Sequence, residues 1–195
     1  MGGLEQIIER FKPECVVKVR HNTDPAQIQF SYVKDGDIIH CDGFSLQVLH
    51  LPGHSEDQMC LHLLEDKAVF SADTVLGQGT TTFMNLKQYL HSLQMLKSLQ
   101  ANRLYPGHGK EITDVEATIN FYIQHRQDRE KQIMEYLSKS GAKSVAEIVT
   151  GLYVGYPKDV LLSAEKVVRL HLEKLRDDPS PHVEEMDSGK WEYRQ

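Results

Sequence analysis

Two turns built from the same three residues carry the side chains best suited to chemistry. Leu51-Pro52-Gly53-His54 follows a run of strand-forming residues, and Leu104-Tyr105-Pro106-Gly107-His108-Gly109 follows a short apolar segment. Proline restricts φ and glycine tolerates positive φ, so each motif is expected to make a tight turn that sets an imidazole at a strand end. Between them, Ala68-Val69-Phe70-Ser71-Ala72-Asp73 reads as a buried strand ending in a carboxylate. A charge there is costly unless something compensates it, and a divalent cation would do so. A single Pro-Gly-His is more often an ordinary turn than a ligand turn, and Asp73 alone suits a helix N-cap or a turn equally well. Two such turns flanking a strand-terminal Asp point to a metal site, and imidazole with carboxylate suits zinc or a similar ion.

The elements that must position these groups change in character near residue 110. Before it, strand-like runs cover 15–19, 28–33, 46–51, 59–64 and 68–71, with turns at Asp35-Gly36-Asp37, Cys41-Asp42-Gly43 and Glu65-Asp66-Lys67. Leu4 to Phe11 reads as a helix stopped by Pro13. Leu86, Tyr89, Leu90, Leu93, Leu96 and Leu99 have the spacing of an amphipathic helix. After residue 110 the pattern is helical over 115–138, 145–153 and 160–175, and Ser144-Val145-Ala146-Glu147 is a capping box that opens the second of these. A short hairpin is expected around Asp187-Ser188-Gly189. Three helices and a hairpin follow the order of a winged-helix unit. The domains are therefore read as 1–112 and 113–195.

Composition narrows the classes. The chain has 195 residues, 40% hydrophobic and 26% charged, which is globular and not disordered. A formal net charge of −6 gives no broad attraction to phosphate, so nucleic-acid contact needs a local basic patch. Lys166, Arg169, Lys174 and Arg176 lie on the helix that would read DNA, yet residues 111–195 hold 12 Lys/Arg against 16 Asp/Glu, so a solvated face is preferred and no DNA partner is expected. No apolar run approaches the ~18 residues of a membrane span, and no membrane partner is expected. The N-terminus has neither a basic region nor an apolar one, so no secretory signal is read, and Gln6 stands where myristoylation wants Ser or Thr. Cys15, Cys41 and Cys60 each lie in or beside apolar residues and are expected as buried thiols in a reducing compartment.

Leu51-Pro52-Gly53-His54-Ser55, Phe70-Ser71-Ala72-Asp73-Thr74-Val75-Leu76-Gly77 and Tyr105-Pro106-Gly107-His108-Gly109 resemble the third, fourth and fifth motifs of the metallo-β-lactamase superfamily. Gly77-Gln78-Gly79-Thr80-Thr81 and Tyr122-Ile123-Gln124-His125-Arg126 are similar to its β-lactamase-like protein 2 group, the mitochondrial endoribonucleases. The resemblance covers nearly the whole chain. It implies an α/β fold, the αβ/βα sandwich of metallo-β-lactamase type, with a C-terminal winged-helix-like unit. It implies two Zn²⁺ ions, His54 on one, His108 on the other and Asp73 bridging them as the catalytic carboxylate. The implied substrate is single-stranded RNA cut at a phosphodiester, and the implied location is the mitochondrial matrix, or otherwise the cytoplasm.

The sequence departs from that pattern in one respect. The family places a His-x-His-x-Asp-His cluster ahead of these motifs, and no His-x-His occurs here. The opening Met1-Gly2-Gly3 is read as truncation just after the cluster, leaving the sandwich incomplete at the N-terminus. Three protein ligands divided over two metals fall short of the three a catalytic zinc usually keeps, so a poor or inactive enzyme is expected. Uncovered strands would expose apolar surface and favour self-association. Two other readings stay open, a non-catalytic binding or regulatory form and a thioesterase like glyoxalase II. The latter group usually shows Cys-Gly-His-Glu at the last motif, which Tyr105-Pro106-Gly107-His108-Gly109 does not match. Ser55, Glu56 and Asp57 are read as turn residues, with Asp57 a lesser candidate for supporting a ligand, and a phosphate contact by Thr80, Thr81 and Thr82 is a lesser alternative to a plain loop. The remaining histidines, His171 among them, have no partner at ligand spacing.

Overall fold

The computed structural model describes residues 3–19, 28–179 and 182–194; Met1, Gly2 and His21 fall outside them. Helix α1 (Leu4–Phe11) leads to strands β1 (Val17–Val19) and β2 (Ser31–Val33), which pair in parallel as a small sheet. A five-stranded sheet follows, made of β3 (Ile38–Cys41), β4 (Phe44–His50), β5 (Met59–Leu63), β6 (Ala68–Ala72) and β7 (Arg103–Pro106), in that spatial order. The sequence pattern contains no separate run for β3, because its exposed residues lack the alternation of a half-buried strand.

The β3–β4, β4–β5 and β5–β6 pairs are antiparallel and β6–β7 is parallel. Two reversals separate β4 from β6, so β4, β6 and β7 all run the same way and end at one edge of the sheet. The crossover between β6 and β7 contains helix α2 (Leu86–Ser98), capped by the Asn85 side chain, which accepts from the Gln88 amide. One sheet face packs Leu49, Cys60, Val69 and Leu104 against Leu86, Tyr89, Leu93 and Leu96 of α2 and against Val115, Ile119 and Tyr122. On the other face the paired row Val48, Leu61, Phe70 and Tyr105 runs across four strands. Phe70 and Tyr105 pack there with ring centroids 5.3 Å apart and planes tilted by 30°, and remain 43% and 36% exposed.

Helix α3 (Val115–Ser140) is capped by Asp114 and serves two cores. Its first half completes the sheet core. Its second half supplies Ile133 and Leu137 to a separate cluster with helix α4 (Val145–Leu152), helix α5 (Lys158–Arg176) and the hairpin β8 (His182–Glu185) and β9 (Trp191–Arg194). The capping box forms as expected, with Ser144 and Glu147 satisfying each other's amides. The fully buried Trp191 anchors the hairpin and exchanges two backbone bonds with Lys143.

The thiols divide otherwise than their apolar flanks suggest. Cys60 faces the core, where burial raises its pKa to about 11, but Cys15 and Cys41 are exposed, the latter because it ends an edge strand. All three are free.

A polar cluster joins α3 to α5. Glu130 and His171 are buried, and the Glu130 carboxylate accepts from Lys174 at 3.0 Å and lies 3.6 Å from His171 Nδ1, while Lys174 also reaches Asp178 at 2.8 Å. Burial pushes the Glu130 carboxyl up, but the His171 and Lys174 contacts outweigh it and hold it below its ordinary value. Burial depresses His171, and Glu130 offsets this only in part. Both shifts have the same sign of effect. A carboxyl with a lowered pKa and an imidazole with a lowered pKa each bind fewer protons folded than unfolded, so each contribution is lost as pH falls, His171 first, below ~6.5, and Glu130 below ~4.3. Glu130→Ala is expected to lower stability by about 2 kcal/mol, since it removes the charged hydrogen bond from Lys174 and the carboxylate 3.6 Å from His171, although Lys174 keeps Asp178 as a partner. Urea unfolding at pH 7 and pH 5.5 checks both points: the wild-type midpoint should drop on acidification.

Candidate metal centre

His54, Asp73 and His108 follow β4, β6 and β7, the three strands that end at the same sheet edge. The first turn closes with the Leu51 amide bonded to the Gln58 carbonyl and the Gly53 amide to the Ser55 carbonyl. Gly53 has φ +128°, and the Tyr89 backbone lies where a Cβ would fall, so glycine is required twice over. Asp73 leaves β6 through Ala72, whose φ of 44° is left-handed, a strain that reorients the chain as it departs from the strand. The second turn uses its glycine differently. Gly107 has no left-handed φ; a Cβ there would sit 2.7 Å from Asp73 Oδ1, so what matters is close approach and not turn geometry. Its amide donates to the Ala72 carbonyl at 2.8 Å, and the Gly77 amide donates to the His108 carbonyl at 2.9 Å, tying the Asp and His turns together.

The two imidazoles face one carboxylate. His54 Nε2 lies 3.8 Å from Asp73 Oδ2, and His108 Nε2 lies 3.7 Å from Asp73 Oδ1. Neither contact is a hydrogen bond, and Oδ1 is buried without any hydrogen-bond partner. The His54 Nδ1 lies 2.9 Å from the Thr82 carbonyl and 3.3 Å from the Thr81 hydroxyl. The carbonyl is the nearer of the two and cannot donate, and the hydroxyl can accept as well as donate, so Nδ1 carries the proton. In the neutral ring this turns the Nε2 lone pair toward Asp73, which is unfavourable with nothing between them. Nitrogen and oxygen donors each ~2.0–2.2 Å from one zinc lie ~3–4 Å from one another, the spacing found on both sides of Asp73. The residues present therefore fit a divalent cation on either side of the carboxylate. Among the described residues no three His, Cys, Asp or Glu side chains close around a single point; the arrangement is two pairs sharing Asp73. His108 is 77% exposed at its side chain, so the centre opens to solvent.

Helices α2 and α3 brace the loops that carry these groups. Tyr89 Oη donates to the Thr74 carbonyl at 2.7 Å, and Tyr122 Oη donates to the Gly79 carbonyl at 3.0 Å while accepting from the Leu76 amide. Arg126 Nη2 donates to the Thr81 carbonyl at 2.8 Å. The Thr81-Thr82 segment thus faces His54 with a main-chain carbonyl at 2.9 Å and the Thr81 hydroxyl at 3.3 Å. Asp57 is taken up by Ser55 and by Lys18 at 3.0 Å, which outweigh the upward push of partial burial and hold its carboxyl low; it stays a turn residue paired with β1. His50 bonds the Glu56 carbonyl, and both His62 ring nitrogens are buried without a hydrogen-bond partner, with burial depressing its pKa. Neither joins the centre. The sequence reading missed Arg126 and the fully buried His171, whose ring nitrogens have no hydrogen-bond partner and whose Nδ1 lies 3.6 Å from Glu130; the Tyr122 to Arg126 segment was the only signal for the first.

Comparison with known proteins gives a consistent pattern. Residues 22–108 match the model of the metallo-beta-lactamase superfamily, and residues 144–191 match the beta-lactamase associated winged helix domain. A beta-lactamase-like protein 2 homolog from Caenorhabditis elegans is 36% identical over 98% of this chain and 66% of its own length. An atrochrysone carboxyl ACP thioesterase from Aspergillus chevalieri is 34% identical over 91% of this chain and 59% of its own length. The chain therefore spans between 59% and 66% of these relatives. The crystal structure of a metallo-beta-lactamase family protein from Thermus thermophilus superposes with a TM-score of 0.68 at 27% identity, over 86% of this chain and 55% of that one.

Proposed function

We propose that this chain, which belongs to the metallo-β-lactamase superfamily, contributes His54, Asp73 and His108 to a zinc centre that cleaves single-stranded RNA. The observation that carries the reading is the buried, unpartnered Oδ1 of Asp73 between two imidazoles. His54 would hold one ion, His108 the other, and Asp73 both. When bound, zinc supplies Lewis acidity and a water acidified toward neutral pH. The chain's own residues do the rest: the Thr82 carbonyl keeps His54 in the tautomer that presents Nε2, Gly107 leaves room for the carboxylate, and the exposed His108 admits a polymeric substrate from solvent. RNA as substrate rests on the resemblance to the β-lactamase-like protein 2 group, which also carries a placement in the mitochondrial matrix. No helix among the described residues is long and apolar enough to cross a membrane.

Among the described residues, three donors for two ions are fewer than the three per ion that catalytic zinc usually keeps, so the chain by itself is a weak or inactive enzyme. A second copy of the chain seated on the exposed Phe70–Tyr105 row is the proposed protein partner. The thioesterase relatives favour a second reading, hydrolysis of an acyl thioester at the same centre.

The test sets the zinc-loaded chain against end-labelled single-stranded RNA and against an acyl thioester, with metal content measured by mass spectrometry. The expected result is slow RNA cleavage, or none, with any cleavage lost on chelation and in His108→Ala. Faster turnover of the thioester moves the assignment to the second reading. RNA turnover near ~10 s⁻¹, the ordinary range for enzymes, would refute the shortage of ligands.

A further inference from the structure

The segments Gly77-Gln78-Gly79-Thr80-Thr81 and Tyr122-Ile123-Gln124-His125-Arg126 supply no ligand to the proposed centre, yet they meet in space. Tyr122 holds the carbonyl of Gly79 and the amide of Leu76, and Arg126 holds the carbonyl of Thr81. Arg126 is only 5% exposed and, among the described residues, has no carboxylate within ion-pair distance. Its neighbours include the Thr81 carbonyl, His125 Nδ1 at 3.2 Å, the Tyr89 phenol and the ring of Phe83, 4.9 Å below the guanidinium carbon. Burial depresses its pKa, as expected for a cation kept from water without a counter-charge. An apolar side chain would cover Phe83 without that penalty. The compensation must lie in what the planar fork fixes.

It fixes Thr81 and Phe83, the residues on either side of Thr82. Phe83 is pinned further by stacking on Tyr89 at 5.9 Å and by the edge of His171 at 5.8 Å. Between these two held neighbours the Thr82 carbonyl lies 2.9 Å from His54 Nδ1, and the Thr81 hydroxyl lies 3.3 Å from the same nitrogen. We infer that Arg126 is a positioning residue for His54: through the Thr81 carbonyl and the Phe83 ring it aims the Thr82 carbonyl that sets the His54 tautomer and ring orientation for metal binding. The inference rests on the metal reading of His54, Asp73 and His108. Partners that orient a metal-binding imidazole in this way typically contribute ~10–100-fold in metal affinity.

The test titrates zinc against a chromophoric chelator in the metal-free full chain and in Arg126→Met, Arg126→Leu, Arg126→Lys and His54→Ala, with circular dichroism to confirm folding. Arg126→Met and Arg126→Leu are expected to stay folded and bind zinc ~10–100-fold more weakly, and Arg126→Lys, which keeps a donor, should recover part of the loss. Nitrogen-15 shifts of the His54 ring are expected to report an Nδ1–H tautomer in the wild type and a tautomer mixture in Arg126→Met. Unchanged affinity and tautomer in the folded apolar variants would overturn the inference, and so would failure of both to fold, since Arg126 would then be a determinant of the fold alone. If His54→Ala itself leaves zinc affinity unchanged, it is the metal reading that fails, a result distinct from a normal His54 dependence with an indifferent Arg126.

Discussion

Asp73→Asn is expected to remove the thermal stabilisation that zinc gives the wild-type chain and, in the same experiment, to raise the midpoint of the metal-free protein. The two signs follow from one atom. Asp73 Oδ1 is buried with no hydrogen-bond partner, and each carboxylate oxygen faces an imidazole nitrogen at 3.7 or 3.8 Å. Without a cation the negative charge is poorly compensated, so the neutral amide should gain up to about 1 kcal/mol in the metal-free state. With zinc at a hundredfold excess over its Kd, the wild type should gain about 2.7 kcal/mol, which for a chain of this size is a rise of roughly 5–10 °C. The amide lacks the charge that makes Asp73 able to serve both sides, so that gain should vanish. Thermal unfolding with and without zinc measures it. An unchanged zinc response in Asp73→Asn would show that the ion binds elsewhere.

The second large effect is expected at Gly53. A Cβ there would lie 2.4 Å from the Tyr89 Cα and amide nitrogen, and the backbone sits at φ +128°, so nothing flexible can move aside. The Gly53 carbonyl also accepts the amides of Met84 at 2.7 Å and Asn85 at 3.2 Å, which joins the His54 turn to the start of α2. Strain and overpacking together should cost about 4 kcal/mol in Gly53→Ala, and the variant should lose zinc binding with its fold. Gly107→Ala offers the contrast. Its added methyl would meet Asp73 Oδ1 at 2.7 Å, which can rotate away, and the Ala72 carbonyl group at 3.3 and 3.4 Å, a tight approach that needs a shift of only a few tenths of an ångström, and its backbone is not left-handed. That variant should keep most of its stability in urea unfolding while binding zinc weakly. If the two variants lose stability equally, the distinction between turn geometry and close approach is wrong.

What the sequence determined by itself is whatever nearest neighbours encode. The helices at 4–11 and 145–152, the capping box at Ser144 and Glu147, the β8–β9 hairpin and the strand-end turns carrying His54 and His108 follow from periodicity, caps and Pro-Gly chemistry, and they stand where those signals put them. The tertiary structure decided the rest. That three turns share one edge depends on the count of strand reversals between β4 and β6, which no local motif contains. The exposure of Cys41 depends on β3 being an edge strand, and the reason for Gly107 is an aspartate 34 residues earlier in the chain. His54 takes its orientation from a carbonyl 28 residues away, and that carbonyl's segment takes its own from Arg126, 45 residues beyond Thr81. Contacts of that separation are set by packing of whole elements, so the sequence names the reactive groups while only the folded chain decides how each is aimed.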